Sequence, residues 1–186
     1  MFSEIKKISS LLLSVAFSSI GFIASITVTV LAAREVSSNP LFVGFPNAVG
    51  VGGAVLGTRM IYLISKTNSQ LNALAFTFLI GAFGGAIMFY SLIIDSFLLL
   101  LLGAFILGIG QSATLQTRYA ASFVAGTKFK ATALSLAVWF SVFGSVFGPR
   151  MVGSYSNFFE NIFNSDLIVG YVIAFVGMLF AAASLF

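Results

Sequence analysis

The stretch "SFLLLLLGAFILGIGQSATLQTRYAASF", residues 96–123, decides how this chain folds. Its first half is almost pure hydrocarbon, and the whole segment exceeds the ~20 residues that a helix needs to cross a bilayer. Its second half places Gln111, Thr114, Gln116, Arg118 and Ser122 inside the same apolar segment. A polar side chain facing lipid is costly, so Gln111 and Thr114 must turn toward protein or water. Arg118, some five residues from the end of the segment, has two readings. It snorkels to the headgroups, or it faces an aqueous cavity with Gln111 and Thr114 on the same helical face and attracts a polar or anionic solute.

The rest of the chain agrees with a membrane environment. Of its 186 residues, 59% are hydrophobic and only 8% charged, and mean hydropathy is +1.10. Soluble domains carry roughly 25% charged residues. The apolar runs lack the alternation of outer-membrane barrel strands. The fold class is therefore all-α, a polytopic membrane bundle of six transmembrane helices. The opening apolar segment is too long for a signal-peptide core of about 7–15 residues and reads as a retained first span. Six spans are expected at about 9–33, 41–64, 71–94, 97–123, 131–152 and 167–186, with a polar link holding Glu160, Asn161 and Asp166 between the last two.

Charges sort by side. Lys6, Lys7, Lys66, Lys128 and Lys130 fall on one face, with Arg59 and Arg118 near span ends there. Arg34 and Arg150 fall on the other, with Glu35, Asp95, Glu160 and Asp166. The positive-inside rule then places both termini in the cytoplasm and the chain in the plasma membrane. The net charge of +4 follows from this topology and gives no reason to expect nucleic acid.

The chemistry of the spans recurs with a shift of three. Span one carries Ser14, Ser18, Gly21, Ser25 and Thr29 on one helical face; span four carries Gln111, Thr114, Arg118 and Ser122 at similar spacing. Span two is rich in glycine at Gly44, Gly50, Gly53 and Gly57, and span five has Gly144, Gly148 and Gly153. Two three-helix units, about 9–94 and 97–186, each with an odd number of crossings, must sit in opposite senses, the 3+3 inverted repeat of secondary transporters. Serine and glycine also serve close packing in any membrane helix, and the stripe Ser14, Ser18, Ser25 is open to both readings.

Three segments resemble the major facilitator superfamily. "GSVFGPRMVG" (144–153) resembles its Gly-x-x-x-Gly-Pro signature through Gly144, Gly148 and Pro149. "RYAASFVAGTKFKATALSLAVW" (118–139) is similar to the segment joining spans four and five. "SKTNSQ" (65–70) stands where the family has a basic turn. The chain resembles the amino-terminal half of such a carrier. In the turn only Lys66 keeps a charge, Ser65 replaces the aspartate, Ser69 and Gln70 replace arginines, and Asn68 takes the glycine position, where a left-handed turn is still tolerated. Ala104 replaces the family's arginine before "Gly-x-Gly".

The resemblance implies that spans one and four flank a solute cavity. Gln111, Thr114, Arg118, Ser14, Ser18 and Ser25 are its candidate lining. Gly50, Gly53, Gly57, Gly144, Gly148 and Pro149 are expected to serve close helix packing and sliding, with Pro149 bending span five. The implied function is transport of a small solute by alternating access, with the lipid bilayer, the solute, and a second six-helix half or second copy as partners. The alternative is a truncated or non-transporting six-span protein that assembles with another membrane protein; the abrupt end at "AAASLF" suits an incomplete carrier. No enzyme is expected. The chain has no histidine and no cysteine, and no acidic residue stands well inside a span, which leaves little for acid–base or nucleophilic catalysis. The same absences argue against a metal site or another cofactor and place any proton-coupling carboxylate on a partner.

Overall fold

A computed structural model describes residues 2–37, 40–163 and 165–186, without the side chains of residues 2–5, 40, 128 and 161. Six α-helices and no strand occur among them: α1 Phe2–Val36, α2 Phe45–Thr67, α3 Gln70–Ile93, α4 Phe97–Val124, α5 Gly126–Phe163 and α6 Ile168–Ala183. Local chemistry sets the breaks. Ser69 caps α3 by accepting from the Asn72 amide at 3.2 Å, and Ser96 caps α4 by accepting from the Leu99 amide at 3.4 Å. Such caps satisfy amides that a helix start leaves unpaired. The tight α3–α4 turn holds Asp95 at φ 50°, a left-handed conformation that aspartate tolerates better than most residues.

Five helices are long and apolar enough to cross a membrane. The exception is α6, whose 16 residues reach about 24 Å at ~1.5 Å per residue. The expected end of span five also moves. Residues 153–163, expected as the polar link, continue α5 as one helix of 38 residues. Phenylalanine explains the extension: Phe163 lies edge-on to Phe89 of α3, with centroids 5.5 Å apart, and stacks on Phe159 at 6.2 Å. The helix runs on through Pro149, although proline offers no amide to the preceding turn.

At the centre, α1 and α4 carry the other helices. α5 and α6 pack on α1, α2 and α3 pack on α4, and α3 meets α6. Exchanging α1 with α4, α2 with α5 and α3 with α6 maps these principal contacts onto themselves. Small residues make them possible. A Cβ added to Gly53 or Gly57 would strike the α4 backbone at Phe105 and Ile109, and one on Gly144 would lie 2.6 Å from the Ser19 backbone of α1. On α3, Gly81 and Gly84 abut α4 at Gly110 and Leu107; on α6, Gly170 and Gly177 abut α1 at Ala24 and Gly21. These pairings make α2 parallel to α4 and α5 parallel to α1, while α3 and α6 run antiparallel to the helices that they cover.

α2 buries only Pro46, Gly53, Gly57 and Ile61, and α5 buries Ala133, Ala137, Gly144 and Gly148. Their other faces are apolar and open: Val55 is 67% exposed and Trp139 68%. Water would penalise so much exposed apolar surface; hydrocarbon does not. The core proper joins Phe78, Leu74 and Met88 of α3 to Tyr171 and Met178 of α6.

Candidate functional site

The two ends of the bundle differ in charge. One holds the α2–α3 link with Lys66, whose ammonium lies 4.5 Å from the Tyr62 ring centroid. The other holds the α3–α4 turn, and there Glu35 feels the charges of Asp166 and Asp95. These are called the Lys66 end and the Asp95 end. Asn68 does not use the left-handed region expected of it: it is extended, at φ −127° and ψ 174°, because Ser69, next in the chain, starts the α3 cap.

Two clefts meet along α4. The first, about 250 Å³, opens between α1, α2 and α4 toward the Asp95 end and is lined by Phe22, Ser25, Thr29, Asn47, Gly50 and Gln111 among others. The second, about 370 Å³, lies between α1, α4 and α5 toward the Lys66 end. Its lining includes Ser19, Gln111, Thr114, Arg118, Ser141 and Ser145. Phe22 and Gln111 border both clefts. The hydrophilic edge of α4 therefore borders two clefts that open on the surface of the bundle.

The sequence-derived candidates separate by position. Gln111, Thr114 and Arg118 share the second cleft, and Ser25 enters the first. Ser14 and Ser18 are fully buried, on the face of α1 that carries Gly21 against Ala174 of α6. Their hydroxyls donate to the carbonyls of Leu11 at 2.8 Å and Val15 at 3.3 Å. Thr29 continues this seam and accepts from the Tyr171 hydroxyl at 3.4 Å while donating to Ser25. Gly50 stands in the first cleft with moderate clearance, an added Cβ being 3.3 Å from the Ala104 carbonyl; Gly148 lies against Ile20 and Ala24.

Sequence reasoning missed Ser19, Ser141 and Ser145. Ser141 and Ser145 stand four apart, with Val138 and Val142, on the one face of α5 that borders the cleft, a helical spacing that could have marked it. Ser19 adjoins the Ser18 seam and carries no periodic signal of its own.

Hydroxyl bonding distinguishes the second cleft. Most buried hydroxyls in the spans donate to a carbonyl three or four residues back, as Thr77, Ser91, Ser112 and Thr117 do. Among the described residues, four buried side-chain atoms lack a partner: Ser19 Oγ, Thr114 Oγ1, Arg118 Nε and Ser165 Oγ. Three of the four line this one cleft; Ser165 precedes α6. A buried polar group without a partner costs about 1–3 kcal/mol, so the cleft holds unused hydrogen-bonding capacity.

Helices of this length and apolarity, packed through glycine seams beside clefts that carry polar side chains, define an integral membrane helix bundle. Two proteins of Bacillus subtilis (strain 168) are similar to it along most of its length. The chain is 30% identical over 174 residues to the uncharacterized MFS-type transporter YdeG, covering 94% of this chain and 40% of that protein. It is 32% identical over 157 residues to the uncharacterized MFS-type transporter YddS, covering 84% of this chain and 36% of that one. The resemblance to the major facilitator superfamily is thus upheld: the chain is similar to these two MFS-type transporters and spans about two-fifths of their length. No protein-family profile and no solved structure matches it.

Proposed function

We propose that the chain is the amino-terminal six-helix half of a secondary carrier that moves a small solute by alternating access. The observation that carries this reading is the convergence of Ser19, Gln111, Thr114 and Arg118, from α1 and α4, on one cleft. The units 9–94 and 97–186 act as an inverted pair, in keeping with the exchange that relates the helix contacts. The Lys66 end faces the cytoplasm with both termini, as the lysine bias favours. The open flanks of α2 and α5 receive a second half or a second copy. Described acidic side chains stand at helix ends, so any proton-coupling carboxylate would belong to the partner. A second reading is a non-transporting module that assembles with another membrane protein through the same open flanks.

Uptake of a labelled solute panel into proteoliposomes tests the first reading against the second. Saturable uptake, lowered in both Gln111→Ala and Arg118→Ala, is expected. Equal uptake in wild type and both variants removes these residues from the site. Absence of uptake for every solute, with correct insertion verified, favours the non-transporting module.

A further inference from the structure

Resting on the transport reading, we infer that the cleft between α1, α4 and α5 binds a small organic anion through Arg118, Thr114 and Ser19. Three observations converge. The cleft holds a single described charge, the Arg118 guanidinium, and no acidic residue lines it. Arg118 makes no ion pair among the described residues, and its Nε is buried without an acceptor. Thr114 and Ser19, each 4% exposed, keep hydroxyls that bond neither their own helix nor a neighbour.

Each of these three groups can donate a hydrogen bond, and none has found an acceptor in the protein. A guanidinium is a donor only and suits the paired oxygens of a carboxylate, sulfonate or phosphate. Hydroxyls can donate to the same oxygens. A cation would meet Arg118 head-on with no counter-charge, and a neutral apolar molecule would leave all three donors unanswered. Phe22, Ile23, Leu115 and Val142 form an apolar wall beside the donors, which suits an anion with a hydrocarbon or aromatic body. At about 370 Å³ the space falls in the usual range for small-molecule sites, about 300–1,000 Å³.

The occupant is a soluble anion. Lipid phosphate shares the same headgroup chemistry, and the test separates the two. The purified chain is held in phosphatidylcholine nanodiscs, and equilibrium dialysis compares radiolabelled benzoate with benzamide and benzylammonium, which share its ring. Benzoate is expected to bind, with the neutral and cationic analogues at least about tenfold weaker, as loss of a charge-assisted pair implies. Arg118→Gln should weaken benzoate by about tenfold or more, and Arg118→Lys, which keeps the charge, by less. Thr114→Val should weaken it several-fold with helical content preserved and melting not lowered.

Benzamide binding equal to benzoate and unaffected by Arg118→Gln overturns the anion assignment and leaves a solute cleft intact. Replacing phosphatidylcholine with phosphatidylglycerol should leave benzoate affinity unchanged; if that lipid displaces benzoate only where Arg118 is present, the anion is a headgroup and the soluble occupant is refuted. If no probe binds, the assignment also fails, and labelling of Thr114→Cys by a water-borne maleimide then decides the rest. A labelled cysteine keeps the transport reading; an inert one removes it as well.

Discussion

Ser18 and Thr114 are both buried hydroxyls in membrane helices, yet they meet different fates. Ser18 returns its proton to the Val15 carbonyl at 3.3 Å and stands in a dry seam, whereas Thr114 bonds nothing and borders a cleft. Exchanging Thr114 for its isostere valine removes an unpaired polar atom and fills the same volume. Thr114→Val should therefore raise stability, by about 1 kcal/mol, measured as a higher melting temperature in detergent; a lower one would mean that the hydroxyl has a partner. Tyr171→Phe, by contrast, removes the 3.4 Å bond to Thr29 and should cost about 1 kcal/mol or less. A larger loss in the same melting assay would reveal a stronger role for that hydroxyl. Gln111, Thr114 and Arg118 were legible in the sequence, because a polar residue in a greasy segment must be turned away from lipid. Ser19 was not, because serine is inexpensive in any membrane helix and only the fold brings this one into the same cleft as Thr114.

Among elements, the glycine seams set how closely helices approach. Gly53 and Gly57 let α2 lie on the α4 backbone, and Gly144 and Gly148 let α5 lie on α1. In both helices the two glycines are four residues apart, and each helix buries little else. Gly53→Val should therefore separate α2 from α4 at a cost of about 1–3 kcal/mol or more, whereas Gly153→Ala, where an added Cβ meets nothing within 4 Å, should be neutral or gain up to about 1 kcal/mol of helix propensity. Equal melting temperatures for the two variants would contradict this account of the seams. Helix number and order were legible from hydropathy, since hydrocarbon length is a coarse constraint. The end of α5 was not: Asn157, Glu160 and Asn161 read as a link, and the aromatic contacts of Phe159 and Phe163 that prolong the helix depend on α3 being beside it.

At the scale of the molecule, α1 and α4 form the axis about which the other four helices exchange places, and the clefts lie on either side of Phe22 and Gln111. On the proposed reading the whole bundle rocks against a second half, which the open apolar flanks of α2 and α5 would receive. Charge bias predicts which way it sits. A cysteine at Lys66 should be modified from the cytoplasmic compartment, and one at Asp95 from the opposite one; the reverse pattern would invert the proposed orientation.

Transport as proposed requires that the polar edge of α4 face water, and the chain offers a clean background for testing this because it contains no cysteine. The most direct measurement is the reaction of Thr114→Cys and Ser18→Cys, in intact membranes, with a membrane-impermeant maleimide supplied from the side of the Lys66 end. Modification of position 114 with position 18 left inert is the predicted result. Equal inertness at both positions, with Lys66→Cys fully modified, would contradict it.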